Sequence, residues 1–215
     1  MIQEYQRSLH RLLHNLLVNY NFHKLYKELL NFCTVDLSAF YFDIRKDALY
    51  CDSKDSARRK SCIIVLNIIL ESLIKWFAPI LSFTTEEIFT LISKDKKSIH
   101  LEEFMKFPKS FENEQLNKKW IELKKIRDVC NISIEEKRAN KEIGSSLEAN
   151  LTISLNKDLS LLVKNIDMAE LCITSAAEII QSTNDETIAA TKKAEGKKCP
   201  VCWKINKNGC QRHPD

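Results

Sequence analysis

The stretch Tyr5-Gln-Arg-Ser-Leu9-His-Arg-Leu12-Leu13-His-Asn-Leu16-Leu17-Val-Asn-Tyr20 sets apolar residues at i, i+4, i+7, i+8, i+11, i+12 and i+15. That is the period of one helix face, so the chain opens on an amphipathic helix. Asn19-Tyr20-Asn21 breaks the beat, and Phe22, Leu25, Tyr26, Leu29, Leu30 and Phe32 resume it in a second, shorter helix. Asp36 and Ser38 offer N-cap oxygens for a third helix from Phe40 to Leu49. A polar turn from Cys51 to Ser56 precedes a long apolar helix that Pro79 ends or bends. Thr84 with Glu87 three residues later reads as a capping box for a helix carrying Ile88, Phe89, Leu91 and Ile92, closed by the run Lys94-Asp-Lys-Lys97. These segments predict a helical bundle over residues 1–110. Ser98 to Phe111, with Pro108 inside it, reads as an irregular connector and domain boundary.

Beyond it, Leu116, Trp120, Leu123, Ile126, Cys130 and Ile134 keep a helical beat through a charged helix reaching about Lys141, with Gly144 as its stop. Leu147 to Leu155 then alternates apolar and polar residues with period two, the pattern of a half-buried strand. A short helix around Leu159 to Lys164 and a second strand-like run at Leu171 to Thr174 would complete an α+β unit over 111–190, with Gln181 to Ala190 as polar linker or edge. Residues 191–215 form a basic tail. The predicted fold class is mainly α: a helical bundle, a small α+β junction unit and a terminal metal knuckle.

Composition agrees. Three glycines and four prolines leave little turn chemistry for a large sheet, and 44% hydrophobic residues suffice for a core. The formal net charge is +4, yet from Thr187 to Asp215 seven Lys or Arg stand against Glu195 and Asp215 alone. That tail carries +5 and the remainder −1, so attraction to a polyanion concentrates at the carboxy end. Cys33, Cys51, Cys62, Cys130 and Cys172 have no framework spacing and read as reduced thiols. No basic region followed by an apolar core opens the chain, so no secretory signal is read and a cytoplasmic location is expected. The apolar stretch Cys62 to Leu81 is as long as a membrane span, but Asn67, Glu71 and Lys75 recur every four residues as one wet stripe. No membrane partner is expected.

The run Asn31-Phe-Cys-Thr-Val-Asp-Leu-Ser-Ala-Phe-Tyr-Phe-Asp-Ile-Arg-Lys-Asp-Ala-Leu-Tyr-Cys51 resembles the bacterial isoleucyl-tRNA synthetases. Trp76-Phe-Ala-Pro-Ile-Leu-Ser-Phe-Thr-Thr-Glu-Glu87 resembles a helical landmark of the class I synthetase anticodon-binding bundle, one shared with valyl and leucyl relatives. Gly144-Ser-Ser-Leu-Glu-Ala149 resembles the start of the strand unit that follows there, and Cys199-Pro-Val-Cys-Trp203 the family's terminal zinc module. Four landmarks in order cover nearly the whole chain. The resemblance implies a bundle that recognises the anticodon stem-loop of tRNA(Ile), and a junction and zinc region that helps hold it. It also implies a catalytic domain as partner, where ATP and isoleucine would be used. The family's His-Ile-Gly-His signature has no counterpart beside any of the five histidines. Lys106-Phe-Pro-Lys-Ser110 mimics the mobile Lys-Met-Ser-Lys-Ser loop but lies in a connector, away from any nucleotide-binding sheet. The chain alone is therefore expected to be non-catalytic and monomeric, either as a synthetase part or as a free-standing RNA-binding or regulatory protein descended from one.

Two cysteines separated by two residues can aim both thiolates at one ion, and Cys210-Gln-Arg-His213 repeats that spacing with a histidine. Cys199, Cys202, Cys210 and His213 together suit a structural tetrahedral Zn2+, with Gly209 allowing a tight return. The family's usual second pair is Cys-X-X-Cys and lies further on. If Asp215 is a truncation, Cys199 and Cys202 keep their role while Cys210 and His213 stand apart. For RNA, Trp203 among Lys197, Lys198, Lys204, Lys207 and Arg212 either stacks on an unpaired base or packs over the knuckle. Lys137, Arg138 and Lys141 fall on one helix face and either reach phosphates or share a solvated face with Glu135, Glu136 and Glu142. Arg45 and Lys46 either hold tRNA or pair with Asp43 or Asp47. His10, His14, His23 and His100 have no partner at ligand spacing and read as structural or exposed.

Overall fold

The computed structural model describes residues 2–93, 97–111 and 113–213, without the side chains of residues 2–8 and 110. The Tyr5 side chain, residues 94–96 of the charged run and Asp215 therefore lie outside the described residues. The chain divides into two units, Met1–Asn113 and Glu114–Asp215.

The first unit is helical. Helix α1 (Ile2–Val18) ends as the broken periodicity predicts, but the stop is made by Tyr20 in the left-handed conformation (φ 55°). There the amides of Tyr20 and Asn21 close back on the carbonyls of Leu17 and Leu16, which satisfies two orphan acceptors. Asn21 then caps α2 (Phe22–Asn31) through its side-chain oxygen. No new helix begins at Asp36 or Ser38. The backbone runs through a π-helical stretch, Phe32–Phe42, straight into α3 (Asp43–Cys51) with helical torsions at both joins. The reason is the spacing of the core residues: Phe32 and Leu37 are both buried, and a step of five shares a face only on the wider π turn.

Ser56 caps α4 (Ala57–Phe77). Before it, buried Asp52 accepts two hydrogen bonds from Arg58, at 2.7 Å each, and Arg58 also reaches Asp47 at 3.1 Å. Helix α5 (Ser82–Ile92) starts earlier than the capping-box pattern predicts, with Leu81 at the cap position and no side-chain cap bond. Thr84 lies inside the helix, and the carboxylate that bonds outward is that of Glu86, which takes the Ser98 hydroxyl and the Ile99 amide. Leu13, Leu25, Leu29, Phe32, Ile69 and Trp76 are almost fully buried, each such side chain contributing roughly 1.5–3 kcal/mol by burial. The wet stripe on α4 is present at Asn67 and Glu71, and Lys75 pairs with Glu71 at 3.0 Å. No helix among the described residues is long and apolar enough to cross a membrane.

The second unit opens with α6 (Glu114–Ala139), which buries Leu123, Ile126, Cys130 and Ile134 and packs on the sheet. Gly144 is not its stop. Lys141 takes the left-handed position (φ 58°), and the amides of Lys141 and Glu142 return to the carbonyls of Arg138 and Lys137. Strand β1 (Ala149–Leu155) alternates buried and half-buried residues as its sequence predicts. It is the centre of a sheet ordered β2-β1-β3, with β2 (Ala176–Gln181) parallel and β3 (Ile188–Lys193) antiparallel to it. The crossover between the parallel strands carries α7 (Lys157–Val163) and α8 (Met168–Leu171). The strand expected at Leu171 to Thr174 is instead the end of α8, where Ile173 turns left-handed (φ 56°), and the strand follows it. Those four residues are largely buried apolar, which suits a core helix end as well as a strand. Residues 188–190, read as linker or edge, belong to an edge strand.

Candidate metal and nucleic-acid site

After β3 the chain turns into a two-stranded ribbon, β4 (Lys197–Lys198) against β5 (Ile205–Asn206), paired Lys197 to Asn206 and Lys198 to Ile205. Gly196 makes the entry possible. Its φ is +131°, and a Cβ there would lie 2.3 Å from the Asn206 carbonyl oxygen. The ribbon is tied to the larger sheet by Ser175, whose hydroxyl donates to the Leu147 carbonyl and accepts the Ile205 amide at 2.6 Å. Sequence reasoning found neither residue. Gly196 left a signal, being one of three glycines and standing three residues before Cys199. Ser175 left none, because its partners are 28 and 30 residues away.

The ribbon brings Cys199 and Cys202 to one end, and the return through Gly209 (φ +78°) brings Cys210 and His213 to meet them. All four ligand atoms lie within 4.8 Å of one another. The Cys202 and Cys210 sulfurs are 3.7 Å apart, and His213 Nδ1 is 3.5 Å from Cys199 Sγ and 3.4 Å from Cys210 Sγ. Cys210 and His213 thus do not stand apart from the first pair. The Val201 amide donates to Cys199 Sγ at 3.4 Å.

Protonation differs across the cluster. Burial raises the Cys199 thiol, but amides of Cys202 and Val201 and the side chains of Cys202 and His213 outweigh it and bring it down to about 6. Cys210 is also lowered, the amides of His213 and Arg212 overcoming burial. Cys202 is pushed up to about 11, chiefly by burial. Four protein donors around one point can hold a metal ion with no position left for water, an arrangement that supports structure and not hydrolysis. All eight cysteines are free thiols, and the remaining five lie outside this cluster.

Trp203 follows the second cysteine in the left-handed conformation (φ 62°) and stays 59% exposed. A bulky residue there carries backbone strain of about 1 kcal/mol or more without the burial that would offset it. Its amide returns to the Cys199 carbonyl, and the Cys199 amide donates to the Lys204 carbonyl. Lys198 Nζ sits 5.7 Å from the Trp203 ring centre and 3.9 Å from Glu148. Lys204 is half-buried, and Arg212 is exposed on the return to His213. Lys198, Trp203, Lys204 and Arg212 are therefore gathered on or beside the cysteine cluster.

The other cations predicted as RNA contacts belong to other elements. Lys137 pairs with Glu142 at 2.9 Å and Arg138 with Glu135 at 2.6 Å. Lys141 lies past the end of α6 and does not share their helix face, because the chain leaves the helix at Asn140. Lys46 pairs with Asp43 at 2.6 Å, Asp47 is held by Arg58, and Arg45 is half-buried beside Tyr41.

Residues 6–153 match the family described as the anticodon-binding domain of tRNA ligase. The chain is 74% identical over 201 residues, 94% of its length, to the isoleucine--tRNA ligase of Pelagibacter ubique, covering 22% of that protein. It is 38% identical to the isoleucine--tRNA ligase of Agrobacterium fabrum (86% of this chain, 20% of that protein) and 42% identical to that of Methylacidiphilum infernorum (87% and 20%). The chain thus spans about a fifth of the length of the curated relatives it matches, in their carboxy-terminal part. With a helical first unit, a helix-and-sheet second unit and two thirds of its residues under one family description, the chain belongs to the tRNA ligase anticodon-binding domains.

Proposed function

We propose that this chain binds the anticodon stem-loop of tRNA(Ile) as the carboxy-terminal part of a cytoplasmic, monomeric isoleucine--tRNA ligase. The observation that carries the reading is the family match over both the bundle and the start of the sheet, together with relatives that bear that enzyme's name. ATP-dependent ligation belongs to a catalytic domain outside this sequence, and the chain by itself serves binding. The bundle of residues 1–110 and the junction unit of 111–190 position the RNA, and the knuckle of 191–215 clamps it.

The four-ligand cluster suits Zn2+. Bonds of about 2.3 Å to sulfur and about 2.0–2.1 Å to nitrogen give tetrahedral edges of about 3.8 Å between sulfurs and about 3.5 Å between sulfur and nitrogen. Three of the six edges are 3.7 Å, 3.5 Å and 3.4 Å, and all four atoms lie within 4.8 Å of one another. A filled site would contribute on the order of 10 kcal/mol to local folding, enough to hold strained Trp203 outward. Lys198, Lys204 and Arg212 then supply phosphate contacts, and the ring a stacking surface for an unpaired base. Arg45, Lys46, Lys137, Arg138 and Lys141 make secondary backbone contacts, for which those held in ion pairs exchange a carboxylate for a phosphate.

The test is binding of the purified, zinc-loaded chain to tRNA(Ile) and to a second tRNA across a series of salt concentrations. Preference for tRNA(Ile) that persists as salt rises supports the reading. Equal affinities falling with the same salt slope would show charge attraction alone.

A further inference from the structure

We propose that His10 is an acid-sensitive pin, which holds the segment Glu102–Phe107 against α1 and Trp76 only while its imidazole is neutral. Trp76 is 1% exposed, so its indole N–H has no water to turn to. It donates to His10 Nδ1 at 3.2 Å. Accepting that bond requires Nδ1 without a proton, and hence the tautomer with hydrogen on Nε2. An imidazolium would set N–H against N–H and leave a buried donor unpaired, a state folded proteins avoid.

The same ring packs edge-on to Phe104, with centroids 5.8 Å apart, and to Phe107 at 5.5 Å. Segment and indole thus meet on one imidazole. The segment's further anchors are weaker: Phe107 lies 6.5 Å from the Trp76 ring and Phe104 6.4 Å from His14. The hydroxyl of Ser72, buried on α4, donates first to the Ile68 carbonyl at 2.7 Å and lies 3.3 Å from Met105 Sδ, a weak acceptor. Among the described residues, the charged groups around His10 are Arg11 and His14 on α1, Glu102, Glu103 and Lys106 on the segment, and Lys75 on α4. The carboxylates, which would favour the cation, are turned to lysines: Glu102 to Lys75 at 3.7 Å and Glu103 to Lys106 at 3.3 Å. Burial, and then His14, hold the His10 pKa below the ordinary histidine value. Acid therefore protonates the pin late and, once it does, frees the segment.

The experiment uses the full chain with Trp120→Phe and Trp203→Phe, leaving Trp76 as the sole indole. Its fluorescence is followed from about pH 8 to about pH 5, the range in which histidines titrate. A glutamyl endopeptidase active over that range cuts at Glu102 and Glu103 in parallel, with rates normalised to the denatured chain. The expected result is at least a twofold fall in Trp76 emission, with a midpoint below about 6.5, and a rise in cleavage over the same interval. His10→Gln, whose amide oxygen accepts but does not titrate, should abolish both transitions. The same transitions surviving in His10→Gln, or cleavage that does not change with pH, would overturn the proposal. If that variant does not fold, nitrogen chemical shifts of the unsubstituted chain decide: a His10 Nδ1 that carries hydrogen at pH 8 overturns it, and one without hydrogen supports it.

Discussion

Replacing Gly196 by alanine isolates the ribbon that carries the metal cluster. A methyl group there meets three backbone atoms at once: the Asn206 oxygen at 2.3 Å, the Asn206 carbon at 2.4 Å and the Lys207 nitrogen at 2.6 Å. None of them is the end of a flexible side chain, so the pairing of Lys197 with Asn206 must open. The φ of +131° adds strain of about 1–3 kcal/mol for any residue other than glycine. Because zinc binding and local folding are coupled, a loss of about 3 kcal/mol weakens zinc by roughly a hundredfold. Gly209→Ala is the control. Its φ of +78° is also left-handed, but nothing lies within 4 Å of the place a methyl group would take, so only about 1 kcal/mol and roughly fivefold are expected. Competition against a chromogenic chelator measures both, with circular dichroism to verify that the helices persist. Wild-type affinity in Gly196→Ala, or a larger loss in Gly209→Ala, would refute the reasoning.

Zinc binding should release protons in a pH-dependent number. Near neutrality Cys199, lowered to about 6, is already thiolate, while Cys202, raised to about 11, surrenders its proton to the metal. As pH falls through about 6 the metal-free knuckle gains a proton on Cys199, so release rises by one and affinity drops more steeply; calorimetry in buffers of different ionisation enthalpy reads the count. Lys141→Gly should stabilise the second unit by about 0.5–1 kcal/mol, since glycine holds the left-handed helix stop without strain, and urea unfolding measures it. Trp203→Ala should weaken tRNA binding about tenfold, the scale of one lost base stack, while zinc affinity stays within about threefold.

Helix existence, the alternation of β1 and the four metal-ligand candidates were legible because each rests on local spacing. Period decides which face of a segment is apolar, and two residues between cysteines decide that both thiolates can reach one ion. Helix ends were less legible. Tyr20, Lys141 and Ile173 all adopt the left-handed stop that glycine signals in most sequences, and each is closed by its own amide and the next returning to carbonyls of the helix before it, a bonding pattern that residue type does not announce. The cations were legible as charge but not as function. Lys46, Lys137 and Arg138 read like Lys198 in sequence, yet the first three close on a carboxylate within five positions, at 2.6–2.9 Å, while Lys198 lies over an aromatic ring with its nearest carboxylate, Glu148, at 3.9 Å and fifty positions away.

Sequence by itself determined the helical class and which residues are candidate metal donors, because these depend on residue type and short-range period. Tertiary structure alone decided that Cys210 and His213 meet the first pair, that Ser175 anchors the ribbon, and that Trp203 faces outward under Lys198. It also joined His10 to Trp76 across 66 positions. Such contacts are set by how helices and strands pack, and no spacing along the chain encodes a distance across it.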